Sequence, residues 1–165
     1  MQPAPTTATV LAMRSLQRSL GPKAGEWATG QLMEGKDTPH LRQLAGATGA
    51  ENRFELEELF DRTLHELGIV MPSRDEAIAS WARELARDYL GAHITRRDFL
   101  HMVSDLCVES DYSRQIFPFY LLRFTLENLD YDGFSFHRAD ATKENFDALL
   151  GAEIERLLAD EHVKA

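Results

Sequence analysis

The sequence predicts an all-α protein, an irregular bundle of about seven helices around one central buried helix. Three observations support this fold class. Apolar residues recur with the period of an amphipathic helix along almost the whole chain. Residues that start helices and glycines that end them separate these periodic segments. Strand-like alternation occurs only at Phe134 and Phe136, which is too short for a sheet.

Four helices are predicted before residue 70. Gly21 and Pro22 end the first of them, and Thr38, followed by Pro39 in the first helical position, starts the third. Asn52 is expected to cap the fourth, with a glutamate three residues later as in a capping box. The predicted spans are 7–20, about 25–33, 38–46 and 52–68.

Three longer helices follow in the second half. Ser73 and Glu76 form a capping box for a helix that runs to residue 90, and Thr95 caps a helix to about residue 108. The next helix, SRQIFPFYLLRFTLENL (113–129), is apolar on nearly every side, so we expect it to lie buried at the centre of the bundle. A last helix is predicted from Asp140 or Thr142 to about residue 161.

The domain organisation predicted is a single all-helical domain over residues 1–165, with residues 1–6 frayed. A chain of 165 residues is long enough for one core, and no linker rich in proline, glycine or serine interrupts it. No internal repeat of fixed period is found.

Charge and composition exclude several classes of function. The chain has 27 acidic and 18 basic residues, a formal charge of −9, and lacks the basic clusters that contact nucleic-acid phosphates. No apolar run approaches the ~20 residues of a membrane span, and the N-terminus lacks the layout of a signal peptide. A single cysteine, Cys107, fits a reducing compartment, so we expect a cytoplasmic protein whose partner, if charge matters, is basic.

Motifs for catalysis or cofactor binding are scarce. The sequence contains no nucleophile elbow, phosphate loop or dinucleotide fingerprint, so no catalytic residue and no cofactor is predicted. Asp98, His101 and Asp105 lie on one face of one helix and could offer two carboxylates and an imidazole to a metal ion. A small helical metal-dependent enzyme that uses this face is therefore the alternative function.

The segment after the central helix favours protein binding. It places several aromatic residues and an arginine in a loop, and these residue types are enriched at protein interfaces. The alternative is that Phe134 and Phe136 plug the end of the bundle. Acids of the last helix would complete the contact surface, which is predicted to comprise Tyr131, Phe134, Phe136, Arg138, Asp147 and Glu153. The leading hypothesis is a non-catalytic, acidic protein-binding module, of which a toxin-neutralising or immunity-type protein is the most concrete version; homodimerisation stays open.

One stretch carries a resemblance. EWATGQLMEGKDTPHLRQLAG (26–46), followed by RFELEELFDRTLHELGI (53–69), is similar to a segment of small uncharacterised bacterial all-α proteins. In that segment a short helix, a Thr/Ser-initiated helix ending in Leu-Ala-Gly and an acidic helix ending in Leu-Gly-Ile follow one another. The resemblance implies a bacterial source and a shared piece of fold, and it implies neither a reaction nor a ligand.

Overall fold

The computed structural model describes the backbone of residues 4–163 and the side chains of residues 4–161. Within this part of the chain the secondary structure is entirely helical, which confirms the predicted all-α class. The elements are α1 (Thr7–Ser15), α2 (Gly21–Met33), α3 (Pro39–Ala45), α4 (Arg53–Glu66), α5 (Arg74–Leu90), α6 (Arg96–Glu109), α7 (Phe117–Tyr131) and α8 (Phe146–Val163).

Several helices begin where the sequence predicts. The side chains of Thr38, Asn52 and Thr95 each accept a hydrogen bond from a backbone N–H in the first turn of α3, α4 and α6. The first helix is shorter than predicted, because Gln17 adopts a left-handed conformation (φ 55°) two residues after α1 ends. Residues 1–3 of the predicted frayed segment lie outside the described residues, whereas Thr6 caps α1.

The chain divides into two compact units, unit 1 (Met1–Ala77) and unit 2 (Ile78–Ala165). The boundary lies inside α5, at a place where no linker composition marks it. The single domain expected from the sequence therefore stays a prediction.

Unit 1 is built on the packing of α2 against α3 and of α3 against α4. The Trp27 ring is buried, packs edge-on against Phe60 with ring centroids 5.4 Å apart, and donates its indole N–H to Thr7 Oγ1 at 3.1 Å. Gly25 allows a close approach, since a Cβ atom at this position would lie 2.4 Å from the carbonyl oxygen of Ala47. Helix α2 can therefore touch the backbone that follows α3.

Unit 2 is centred on the packing of α6 against α7, with α8 also against α7. Its core includes Phe99 and Phe119, whose rings meet edge-on with centroids 5.6 Å apart. Helix α7 is less enclosed than its sequence predicts. It buries one face, while the rings of Phe117, Tyr120 and Phe124 on the other face pack against one another and stay partly exposed. Mutual packing of aromatic rings thus replaces burial on this side of α7.

Candidate protein-binding surface

The connection from α7 to α8 is an ordered turn followed by an anchored loop. Gly133 directly follows the last residues of α7, has a positive φ of 77°, and donates its N–H to the carbonyl of Leu129 at 3.2 Å. Ser135 is buried, with its hydroxyl 3.4 Å from that of Thr125 on α7. The same hydroxyl accepts a hydrogen bond from the His137 N–H at 3.2 Å. These contacts hold the middle of the loop against α7.

Three aromatic side chains next to this anchor are exposed to solvent. Tyr131 is 88% exposed, Phe134 52% and Phe136 83%. The Phe134 and Phe136 rings meet edge-on, 5.0 Å apart and inclined at 80°, so each covers part of the other. Phe134 and Phe136 therefore do not plug the end of the helices as the alternative reading expected. We call Tyr131, Phe134 and Phe136 the aromatic loop.

The charged residues predicted for the surface are instead occupied within the molecule. Arg138 lies 3.8 Å from a carboxylate oxygen of Glu153, and that carboxylate also accepts a hydrogen bond from Arg156 at 2.9 Å. Asp147 accepts a hydrogen bond from Arg96 at 2.6 Å. These pairs tie the loop to α8 and α8 to α6, and they leave the three predicted residues with much of their charge already balanced.

Two acidic residues that were not predicted as part of the surface are chain neighbours of the aromatic loop. Asp130 and Asp132 flank Tyr131, and both are exposed. Neither has an ion-pair partner among the described residues. The sequence signal that could have found them is the run Asp-Tyr-Asp at the end of an apolar helix, where a carboxylate on either side of an aromatic residue has no basic neighbour.

Both carboxylates of the metal-site alternative are already engaged in other contacts. The Asp98 carboxylate accepts a hydrogen bond from the Thr95 hydroxyl at 2.7 Å and completes the cap of α6. Asp105 lies 3.5 Å from a guanidinium nitrogen of Arg123. Among the described residues, His101 included, no three His, Cys, Asp or Glu side chains come together in a group that could hold a metal ion.

The single cysteine is chemically quiet. Cys107 is fully buried in α6, and burial raises the pKa of its thiol to about 11. Because the thiolate is the nucleophilic form, a thiol with such a pKa is almost entirely protonated at neutral pH. Cys107 belongs to the core of unit 2.

Comparison of the chain with protein-family models, with curated proteins and with solved structures finds no match in any of the three. Within the described residues, none of the helices combines the length and the apolar character needed to cross a bilayer. The fold and the surface define the class of protein. It is an all-α protein that presents an anchored, exposed aromatic loop at the end of α7.

Proposed function

We propose that this protein is a non-catalytic binding module that binds another protein at the aromatic loop. The observation that carries the proposal is the exposure of three large aromatic side chains, Tyr131, Phe134 and Phe136, on one short segment. Aromatic rings of this kind dominate binding at protein interfaces, where burial of each contributes about 1.5–3 kcal/mol. A cluster of exposed apolar side chains is typical of a contact surface rather than of an ordinary solvated loop.

Contacts within the chain hold the loop in place, which supports a binding role. Ser135 anchors it to Thr125, and Arg138 links its far side to Glu153. A surface that is ordered before contact loses less conformational entropy when it binds. The rings can therefore contribute most of their burial free energy to binding.

The partner we propose is a basic protein. Asp130 and Asp132 are the chain neighbours of Tyr131, and their exposed carboxylates have no ion-pair partner among the described residues. Lysine and arginine side chains bind both features, since they pair with carboxylates and lie favourably over aromatic faces. The formal charge of −9 also attracts a cationic partner at longer range. A toxin-neutralising or immunity-type protein of the bacterial cytoplasm, directed against a basic toxin, is the most concrete form of the proposal.

A selection with defined peptides tests this function. The full chain is screened against a synthetic peptide array of matched length in which lysine, arginine and apolar content vary, and the dissociation constants of the best binders are measured by fluorescence anisotropy. We expect arginine- or lysine-containing peptides to be selected, and the triple variant Tyr131→Ser, Phe134→Ser, Phe136→Ser to weaken their binding about 100-fold.

A matched control removes exposed apolar side chains elsewhere. Met33 and Phe54 are as exposed as the loop rings but lie in unit 1, so Met33→Ser and Phe54→Ser should leave the dissociation constant unchanged. Selection of no basic peptide, or equal loss of binding in the loop and control variants, would contradict the proposal.

A further inference from the structure

A second set of aromatic rings, all at least partly exposed, lies along one side of α7. Neighbouring ring centroids lie 4.9–6.3 Å apart in a series that runs from Tyr112 through Phe117, Tyr120 and Phe124 to His137. Tyr112 is 46% exposed and Phe117 37%, while Tyr120 and Phe124 are half-buried. We call these five residues the aromatic strip. Its last member, His137, is the chain neighbour of Phe136 in the aromatic loop.

The backbone at the start of the strip is strained, and the strained turn carries the Tyr112 ring. Asp111 and Tyr112 both adopt the left-handed region, with φ values of 57° and 59°, although neither is glycine. Residues in this conformation cost free energy, and they persist only where the surrounding structure requires them. Here the strained turn sets the Tyr112 ring edge-on to Tyr120, with centroids 5.4 Å apart.

We propose that an amphipathic helix of the basic partner docks lengthwise on the aromatic strip. Its apolar face would cover the rings, and its cationic side chains would meet Asp111 at one end and Asp130 and Asp132 at the other. This inference rests on the proposed function and adds the secondary structure and orientation of the partner segment.

Hydrogen bonding favours a helix over an extended segment. The backbone groups of α7 bond to one another, so the strip offers no sheet edge to which an extended peptide could add. An extended segment on the strip would lose water from its backbone without gaining partners, whereas a helix satisfies its own backbone. From Phe117 to Phe124 the strip spans about 10 Å of α7, and with its two ends it matches roughly three turns of a helix.

Charge favours a basic occupant over a second copy of this chain. Three carboxylates, those of Asp111, Asp130 and Asp132, have no ion-pair partner among the described residues. Over residues 111–137, Arg114 is the one lysine or arginine that also has no ion-pair partner among the described residues. Arg123 lies over the Phe124 ring at 5.5 Å, but its charge is met by two carboxylates, at 3.5 and 3.4 Å. Two strips facing each other would bring like charges together, and an anionic membrane would be repelled in the same way.

Binding of a designed probe tests the inference. The probe is a synthetic peptide with leucines at helical i, i+3, i+4 and i+7 spacing and lysines elsewhere, and its control has the same composition with the leucines distributed around the helix. We expect the amphipathic probe to bind the full chain at least about tenfold more tightly than its control, and Phe117→Ser with Tyr120→Ser to remove that difference.

Tyr112→Gly is the strip variant that separates loss of probe binding from loss of the fold. It removes one ring of the strip, with its packing against Phe117 and Tyr120, but it also relieves the left-handed strain. Because these two effects oppose each other, the melting temperature should change little while probe binding falls about tenfold. The loop variant Phe134→Ser with Phe136→Ser and the unit 1 control Met33→Ser with Phe54→Ser are measured beside it.

The outcomes separate this inference from the proposed function. If the strip variants bind the probe as the wild type does while the loop variant weakens the selected basic peptides, the docking helix is wrong and the proposed function stands. If neither set weakens binding, both are wrong. A dimer in sedimentation equilibrium that the strip variants abolish, or binding of the wild type to phosphatidylcholine vesicles that the strip variants abolish, would also overturn the inference.

Discussion

Ser135 is a small polar residue that is buried between two exposed aromatic neighbours, Phe134 and Phe136. Its hydroxyl reaches Thr125 and accepts the N–H of His137, and it is buried while Phe134 and Phe136 on either side are exposed. Buried and exposed side chains thus alternate over residues 134–136. The sequence contains the alternation of apolar and polar residues here, but alternation alone does not tell which set lies inside.

Gly133 provides a test at the scale of one residue. Its φ of 77° is unfavourable for other residues, and no atom lies within 4 Å of the position where a Cβ would be. We expect Gly133→Ala to lower the free energy of unfolding by about 1 kcal/mol through backbone strain alone, measured by urea denaturation. Gly151 is the matched control, since it lies inside α8 with equally open space around it. Gly151→Ala should raise the free energy of unfolding by about 0.5–1 kcal/mol, and a loss in both variants would refute this explanation.

Residue-scale features were predictable where a residue type marks them. An acid followed by glycine after an apolar helix predicts the turn at Gly133, and threonine or asparagine before a periodic segment predicts the caps at Thr38 and Asn52. The left-handed turn at Asp111 and Tyr112 has no such marker, because neither residue is glycine. The turn closes the C-terminus of α6, where the N–H groups of Asp111 and Tyr112 donate to the carbonyls of Val108 and Cys107.

At the scale of the element, α7 shows why the burial of a helix is harder to predict than the presence of the helix. Its sequence is apolar on most sides, which is typical of a buried helix, yet only one of its faces is enclosed. Aromatic residues cover one another at neighbouring turns, as Tyr120 and Phe124 do at 4.9 Å, so an aromatic face can remain at the surface. A leucine face of equal hydrophobicity could not shield itself in this edge-on manner.

The contact of α2 with the end of α3 gives a prediction at the same scale. A methyl group added at Gly25 would lie 2.4 Å from the carbonyl oxygen of Ala47, and backbone cannot move aside as a flexible side chain can. We expect Gly25→Ala to lower the free energy of unfolding by about 1–3 kcal/mol in urea denaturation. Gly30 lies on the same helix with open space around it, so Gly30→Ala should raise the free energy of unfolding by up to about 1 kcal/mol. Equal effects of the two substitutions would show that helix propensity, rather than the close approach, decides stability at Gly25.

At the scale of the whole molecule, the net charge and the ion pairs together determine which acidic residues stay unpaired at the surface. The formal charge of −9 follows from composition, and residues 111–165 hold 11 acidic and 6 basic residues, which predicted an acidic surface in this part. Which acids remain without a basic partner was not predictable, because pairs such as Asp147 with Arg96 join residues far apart in the sequence. Asp130 and Asp132 therefore join the candidate surface as exposed carboxylates without an ion-pair partner among the described residues, and the part played by Asp147 and Glu153 stays a prediction.

Salt dependence distinguishes this local arrangement from net charge alone. Binding of a peptide selected by the basic-partner array should have an association rate constant that falls about tenfold between roughly 20 and 200 mM salt, with a smaller change in dissociation, measured by stopped-flow fluorescence. The variant Asp111→Asn, Asp130→Asn, Asp132→Asn should lose much of this salt dependence, since it removes the unpaired carboxylates nearest the rings.

Three exposed acids of unit 1 supply a control with the same change in net charge. Glu26→Gln, Glu55→Gln and Asp75→Asn together also alter the formal charge by three units, but they leave the aromatic surface untouched. If steering arises from the carboxylates at the rings, this control keeps nearly the full salt dependence. If the two triple variants lose it equally, the attraction is a property of total charge, and Asp111, Asp130 and Asp132 have no special part in capturing the partner.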